Sequence, residues 1–220
     1  MLKGRQRTST SLRAIEAVLF DADGVLQSIP AGRHAALAAL LPPGEEGVEE
    51  FIQEIFEVER PALSGEGDLV RDMQALLRRH GSTAAPCEIL RLLNTIHVHV
   101  EILDIVRRIQ GIGITCHLTS NQQRHRATYM SEELGYKAHF DQEFYSCDLG
   151  HAKPSQEYFE HVLNSIGVPP GRVLFLDDHE VNVSSARKLG IWASTFQLHR
   201  GVDNRRALTD LLSRYGLHIE

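Results

Sequence analysis

The sequence predicts an α/β fold in which a parallel sheet is flanked by helices and a small helical unit is inserted after the first strand. Short apolar runs alternate with helical patterns over much of the chain, which is typical of parallel strands buried on both faces. Between about residues 30 and 95 the strand signal disappears and only helical periods remain. The 220 residues, 42% of them hydrophobic, are enough for one globular core and a modest insertion.

Four short runs are predicted as strands of the sheet. Each is nearly continuous in apolar residues and is bounded by polar residues or glycine, as expected of a strand covered by helices on both sides. The runs are 15–20 (IEAVLF), 112–118 (IGITCHL), 172–176 (RVLFL) and 191–196 (IWASTF).

Four helical periods fill the interval between the first two strands. They cover 33–41, 47–59, 68–80 and 86 to about 94, and Pro/Gly-rich segments separate them. We therefore expect an α/β core made of residues 15–28 and 99–220, with the helical insertion at 29–98. Residues 1–14 are basic and rich in Ser and Thr, and we expect them to form a flexible N-terminus.

Composition excludes several classes of function. The formal charge of −6, from 29 acidic and 23 basic residues, argues against a broad surface for nucleic-acid phosphates. Apolar stretches fall short of the roughly 18 residues that a membrane-spanning helix needs, and no secretory signal pattern is present. The three cysteines are widely spaced, which disfavours a disulfide framework or a zinc site. We expect a cytoplasmic protein, a monomer or homodimer, with no nucleic-acid or membrane partner.

Two acidic clusters follow predicted strands. Asp21 and Asp23 come directly after the first strand, and Gly24 beside them can adopt the backbone of a sharp turn. Asp177 and Asp178 follow the RVLFL strand. The carboxyl ends of parallel strands are where such sheets build their sites, and carboxylates are suitable ligands for Mg²⁺. The first pair can divide the roles of nucleophile and proton donor.

Two further clusters supply groups that bind anions. Thr119, Ser120 and Asn121 place hydroxyl and amide groups at another strand end, where they can donate hydrogen bonds to an anionic oxygen. Lys153 provides a point charge directly before Pro154, a residue suited to start a helix.

In their order along the chain, these four clusters resemble the motifs of the haloacid dehalogenase-like superfamily. The matching segments are DADGV at 21–25, TSN at 119–121, Lys153-Pro154, and DDHEVN at 177–182. The segment 144–154 (FYSCDLGHAKP) and the DDxxxN form of the last motif are similar to the sugar-phosphatase and epoxide-hydrolase N-domain members. The resemblance implies a Rossmann-like core. It also implies that the insertion, which lies within the interval of 99 positions from Asp21 to Ser120, is a small helical cap.

The resemblance implies a phosphatase that acts on a small phosphorylated metabolite through an aspartyl-phosphate. In this reading Asp21 attacks phosphorus, and Asp23 protonates the leaving alcohol and later deprotonates the hydrolytic water. Ser120 and Lys153 hold the oxygens of the transferred phosphoryl group, and Asn121 also contacts substrate.

The implied cofactor is Mg²⁺. Its ligands would be Asp21, the backbone carbonyl of Asp23, and Asp178, with Asp177 close behind. The cation would offset the repulsion between the anionic nucleophile and the phosphate.

Three alternatives stay open at this point. A β-phosphoglucomutase-like phosphomutase is the first, because Arg33 and His34, early in the first cap helix, are candidates for substrate contact. Haloacid dehalogenation is less favoured, since that reaction needs no acid at Asp23. A binding module without catalysis is the third, although every expected catalytic residue is present. The sequence does not name the substrate, because specificity depends on the placement of cap side chains.

Overall fold

A five-stranded parallel sheet forms the centre of the structure, a computed structural model that describes residues 15–42, 44 and 47–219. The predicted flexible N-terminus, residues 1–14, lies outside the described residues. The strands in chain order are β1 (Ala17–Phe20), β2 (Gln27–Ser28), β3 (His97–Val98), β4 (Thr115–Ser120), β5 (Gln142–Tyr145), β6 (Val173–Asp177) and β7 (Trp192–Thr195).

The order in the main sheet is β5-β4-β1-β6-β7, with β1 at the centre. Phe20 at the end of β1 lies opposite Leu118 of β4 and Leu176 of β6. This register brings the carboxyl ends of three strands to one edge, directly before the polar motifs. The four predicted strands are confirmed within a few residues. Strand β5 was missed because its sequence, QEFY, is not a continuous apolar run.

Helices cover both faces of the sheet and bury every residue of β1. On one face Val18 and Phe20 pack in a cluster with residues of α5 (Val100–Gly111) and α10 (Asn204–Ser213). On the other face Ala17 and Leu19 pack with residues of α8 (Gln156–Ile166) and α9 (Glu180–Lys188). The predicted fold class is therefore confirmed. The helices are α1 (Arg33–Ala38), α2 (Val48–Glu59), α3 (Leu69–Arg79), α4 (Pro86–Leu93), α5 (Val100–Gly111), α6 (Arg124–Thr128), α7 (Ser146–Leu149), α8 (Gln156–Ile166), α9 (Glu180–Lys188) and α10 (Asn204–Ser213).

Helices α1 to α4 form the helical insertion and have a hydrophobic cluster of their own. Apolar residues at helical spacing meet in its centre, where Phe51, Ile55, Met73, Leu76 and Ile89 are fully buried. A 3₁₀ turn, Pro61–Ser64, links α2 to the loop before α3. All four predicted helices are present.

The short antiparallel pair β2–β3 joins the insertion to the core. The predicted boundaries at 28/29 and 98/99 lie at the ends of this pair. The ring of His99 bonds the Ser28 hydroxyl and the Glu101 carboxylate, each at 3.0 Å. None of the described helices combines the length and the apolar character needed to cross a membrane.

Candidate active site

Polar side chains from three strand ends meet in one cavity of about 190 Å³. It opens at the carboxyl edge of the sheet, beyond β1, β4 and β6. The cavity contains most of the residues that the motifs predicted, and none of the described residues of the insertion line it. Its walls are formed by Asp21, Asp23, Ser120, Asn121, Gln122, Lys153, Asp178, His179 and Asn182.

The ammonium group of Lys153 is the centre of the site. Its Nζ donates hydrogen bonds at 2.7 Å to Asp21 Oδ1, at 2.7 Å to Asp177 Oδ2 and at 2.9 Å to the carbonyl oxygen of Thr119. The lysine side chain is 1% exposed, so these three acceptors offset the loss of its hydration. The two carboxylates raise the pKa of Lys153 against the opposing effect of burial, and the group is a fixed positive charge.

Asp21 lies at the floor of the cavity. Burial raises the pKa of its carboxyl group to about 7, with the Lys153 charge acting in the opposite direction and the Asp177 charge adding to the rise. An anionic nucleophile at this position therefore depends on positive charge nearby.

The two carboxylates that follow β6 have different surroundings. Asp177 is fully buried and engaged: its Oδ1 accepts from the backbone N–H of His179 at 2.8 Å, and both oxygens accept from Asn182 Nδ2. Asp178 lines the cavity, and its Oδ1 lies 3.7 Å from His179 Nδ1. Burial raises the pKa of Asp178. Asp177 is placed to orient Lys153, and Asp178 is the carboxylate with room for a ligand.

Gly24 permits Asp178 to approach the first motif. A Cβ at this position would lie 2.4 Å from Asp178 Oδ2, and the glycine has φ of +80°, a conformation that other residues rarely adopt. Gly24, predicted to make a sharp turn, is thus also required for the close approach of the Asp178 side chain.

The side chains of the second motif divide into two roles. The Ser120 hydroxyl is buried beside the cavity and accepts from Gln122 Nε2 at 3.1 Å. The Asn121 side chain instead fixes the backbone of Lys153. Its Nδ2 donates to the Lys153 carbonyl at 2.7 Å, and its Oδ1 accepts from the Lys153 N–H at 2.8 Å. The amide predicted to contact substrate is therefore engaged with the backbone of Lys153.

Three donors that the sequence did not indicate hold the carboxylate of Asp23. Gln27 Nε2 at 2.9 Å and Arg126 Nη2 at 2.7 Å donate to Oδ1, and Gln122 Nε2 at 2.8 Å donates to Oδ2. Gln27 is itself fully buried and accepts from Tyr136. The signal in the sequence that could have indicated Gln27 and Gln122 is that both lie within two positions of a motif.

The structure separates the two residues predicted in the first cap helix. Arg33 is half-buried between insertion and core, and its Nη1 lies 3.4 Å from the carbonyl oxygen of Leu93. Burial and the charge of Arg126 lower the pKa of Arg33, and the Asp23 charge opposes them. His34 faces solvent, 57% exposed, and pairs with Glu49. His34 is not among the described residues that line the cavity, and its role in substrate binding stays a prediction.

The donor set at the cavity suits a hard cation. Oxygens of Asp21, Asp177 and Asp178 lie within 4.8 Å of one another. Hard divalent cations such as Mg²⁺ prefer oxygen ligands of this kind, and accumulated negative charge beside a phosphate-sized cavity calls for a compensating cation.

The sequence of the chain is similar to those of known hydrolases. Residues 15–190 match the family model described as haloacid dehalogenase-like hydrolase. The chain is 34% identical over 85 residues to D-ribitol-5-phosphate phosphatase of Bacteroides thetaiotaomicron; the match covers 39% of this chain and spans 40% of that protein's length.

Solved structures of similar fold cover most of the chain. A haloacid dehalogenase family enzyme from Bacteroides thetaiotaomicron, in complex with magnesium and inorganic phosphate, has a TM-score of 0.70 at 22% identity. The superposition covers 86% of this chain and 97% of that one. A hydrolase of the same kind from Porphyromonas gingivalis has a TM-score of 0.74 at 22% identity, covering 91% and 98% of the two chains.

Proposed function

The chain belongs to the haloacid dehalogenase-like hydrolase family, and we propose that it is a Mg²⁺-dependent phosphatase that hydrolyses a small phosphate monoester through an aspartyl-phosphate. The observation that carries the proposal is the contact of Lys153 Nζ with Asp21 and Asp177 at 2.7 Å, beside the carboxylate of Asp178, which lines the cavity. A buried cation next to an anionic nucleophile and a metal-binding carboxylate suits a substrate that carries concentrated negative charge.

Asp21 and Asp178 are the side chains that would hold Mg²⁺, together with the backbone carbonyl of Asp23. Asp177 would act behind them, because its oxygens are engaged with Lys153, His179 and Asn182. A bound Mg²⁺ supplies positive charge that offsets repulsion between nucleophile and phosphate. The relative solved with magnesium and inorganic phosphate supports this choice of ion.

The residues divide the reaction into two displacements. An oxygen of Asp21 forms a bond to phosphorus as the ester P–O bond breaks, and the departing alkoxide takes a proton from Asp23. The ionised Asp23 then takes a proton from water as that water attacks phosphorus, which releases phosphate and regenerates the Asp21 carboxylate. Lys153 and Ser120 hold the oxygens of the phosphoryl group throughout.

The helical insertion would act as the cap that closes the site. The cavity by itself is lined by core residues that recognise phosphate, so discrimination among leaving groups requires side chains from elsewhere. Similarity to a phosphatase of D-ribitol 5-phosphate makes small phosphorylated polyols the first compounds to test. No feature of the described residues favours the phosphomutase alternative, since His34 does not line the cavity and pairs with Glu49.

The test is hydrolysis of p-nitrophenyl phosphate by the purified chain, with Mg²⁺ and with EDTA. We expect turnover that requires Mg²⁺, and we expect Asp21→Asn to abolish it while the circular-dichroism spectrum stays unchanged, because the amide keeps the shape but is not a nucleophile. Absence of turnover on aryl phosphate and on a panel of phosphorylated polyols would contradict the proposal. So would Asp21→Asn activity of more than about 1% of wild type.

A further inference from the structure

Arg126 is a buried arginine that the motifs do not include. It lies in α6, which begins three residues after Asn121, and it is 5% exposed. Its Nη2 donates to Asp23 Oδ1 at 2.7 Å, and its Nη1 donates to the carbonyl oxygen of Leu93. One guanidinium therefore contacts both the proposed acid–base group and the last residue of α4 in the helical insertion.

The contact at Leu93 lies where a helix leaves its carbonyl groups without partners. The carbonyl oxygens of Leu90 and Leu92 accept from Asn94 and Thr95 in the turn that follows α4. The carbonyl of Leu93 accepts from Arg126 of the core and from Arg33 of the insertion. Cations are favoured at this negative end of a helix dipole, so the end of α4 is a specific docking point for Arg126.

Arg126 differs from the other two donors to Asp23. Gln27 and Gln122 are neutral amides, and both of them contact core residues. Arg126 brings a charge, and its planar fork presents two N–H groups in fixed directions. Moving the end of α4 relative to the core would therefore move the group that holds Asp23.

We propose that Arg126 is a positioning residue, which holds the Asp23 carboxylate toward the leaving-group oxygen and makes that hold depend on docking of the insertion at Leu93. The proposal rests on the proposed phosphatase activity. When Asp23 gives its proton to the alkoxide, a carboxylate is left behind, and the adjacent guanidinium offsets its charge. Proton transfer would thus be most effective when the insertion is in place over the site.

The experiment compares two substrates that differ in their need for an acid. Steady-state kinetics are measured for wild type, Arg126→Lys and Arg126→Gln on p-nitrophenyl phosphate and on an alkyl phosphate that the wild type hydrolyses. Positioned acid–base groups contribute about 10²- to 10⁴-fold, so we expect Arg126→Gln to lower kcat/KM, which reports the step that expels the leaving group, on the alkyl phosphate by about 10- to 100-fold. The loss on the aryl phosphate, whose leaving group needs no proton, should be several-fold smaller. Arg126→Lys should give the same pattern, since an ammonium does not reproduce the two-directional fork.

The Asp23→Asn variant shows whether Arg126 acts through Asp23, because the effect of Arg126→Lys can be measured in a protein that lacks this acid. If Arg126 acts through Asp23, Arg126→Lys should change the residual aryl phosphatase activity of Asp23→Asn by less than about twofold. Arg124→Gln is the matched control in the same helix, because Arg124 is 63% exposed and pairs with Asp148 at the surface; it should leave both rates unchanged.

Three results would overturn the inference. They are an equal loss on both substrates, a full additional effect of Arg126→Lys in the Asp23→Asn background, or wild-type rates for Arg126→Lys on both. If Arg126→Gln does not fold, Arg126→Lys and its double-mutant cycle with Asp23→Asn test whether Arg126 positions Asp23. Failure of the proposed function is distinguishable, because the wild type itself would then hydrolyse neither substrate.

Discussion

At the scale of single residues, the buried lysine and its carboxylates define the chemistry. The neighbouring carboxylates keep Lys153 a fixed cation against the effect of burial, whereas burial makes ionised Asp21 unfavourable. The same small volume contains three carboxylates and one ammonium. The imbalance of charge is the physical reason to expect a cation at this site.

Binding of Mg²⁺ should depend on pH near neutrality. Burial raises the pKa of Asp21 to about 7, so below that pH the metal-free carboxyl group holds a proton that a cation must displace. The raised pKa of Asp178 acts in the same direction. We expect the Mg²⁺ midpoint, read from the rise in melting temperature, to increase by up to about tenfold per unit as the pH falls below 7. Identical midpoints at pH 6, 7 and 8 would contradict this.

Substitutions of the two carboxylates after β6 should change different kinetic quantities. Asp178→Ala removes a carboxylate that has room for a ligand, so the Mg²⁺ concentration for half-maximal activity should rise about tenfold or more. Asp177→Asn weakens the orientation of Lys153, so kcat should fall at saturating Mg²⁺ while the midpoint changes less. The measurement is a Mg²⁺ titration of aryl phosphate hydrolysis for both variants. Equal shifts of the midpoint would remove the distinction between the two residues.

At the scale of elements, the insertion contacts the core through a close backbone approach. Gly65, directly after the 3₁₀ turn Pro61–Ser64, sits against α7: a Cβ there would lie 2.6 Å from the carbonyl oxygen of Cys147. Its φ of +75° is also unfavourable for other residues.

Gly65→Ala should therefore loosen the insertion from the core. Gly67 is a matched control, because its φ is +78° but the nearest atoms to an added Cβ are 3.8 Å away. Gly67→Ala should show only the backbone strain of about 1–2 kcal/mol. Gly65→Ala should lose about 1–3 kcal/mol more in the free energy of unfolding, as measured by urea denaturation, because the backbone of α7 must move. In limited proteolysis, Gly65→Ala should be cleaved faster than Gly67→Ala in the segments that connect the insertion to the core. Equal destabilisation by both variants would show that the contact with α7 is easily relaxed.

At the scale of the whole molecule, we propose that the core carries out the reaction and that the insertion supplies selectivity. Each has its own hydrophobic cluster, and the sheet edge with its cavity lies beside their junction. Arg33 lies at this junction, close enough for its charge to interact with those of Asp23 and Arg126.

Arg33→Ala should change kcat/KM unequally across a panel of phosphorylated metabolites. Substrates with large leaving groups should be affected most, and a small aryl phosphate least, because differences in leaving group are recognised only where the insertion meets the substrate. His34→Ala is the control and should have no effect, since His34 is exposed and pairs with Glu49. A uniform loss for Arg33→Ala would indicate a general defect in closure, and no loss would show that Arg33 is structural only.

Local patterns in the sequence determined the architecture and predicted the reacting groups. Apolar runs of five to seven residues predicted β1, β4, β6 and β7, because a strand covered by helices on both faces has few polar positions. The helical periods likewise predicted α1 to α4. Asp21 and Lys153, 132 positions apart, were predicted to share a site because both belong to motifs that resemble those of the haloacid dehalogenase-like superfamily.

Only the tertiary structure decided how the polar groups are paired. Arg126 contacts Asp23 across 103 positions, and Asn121 turns to the backbone of Lys153 where substrate contact was predicted. The same applies to His34, which is directed to solvent by its position on α1. Periodicity and motifs describe neighbours along the chain, whereas the partner of a polar side chain depends on the path of distant segments and on the need to satisfy buried charge.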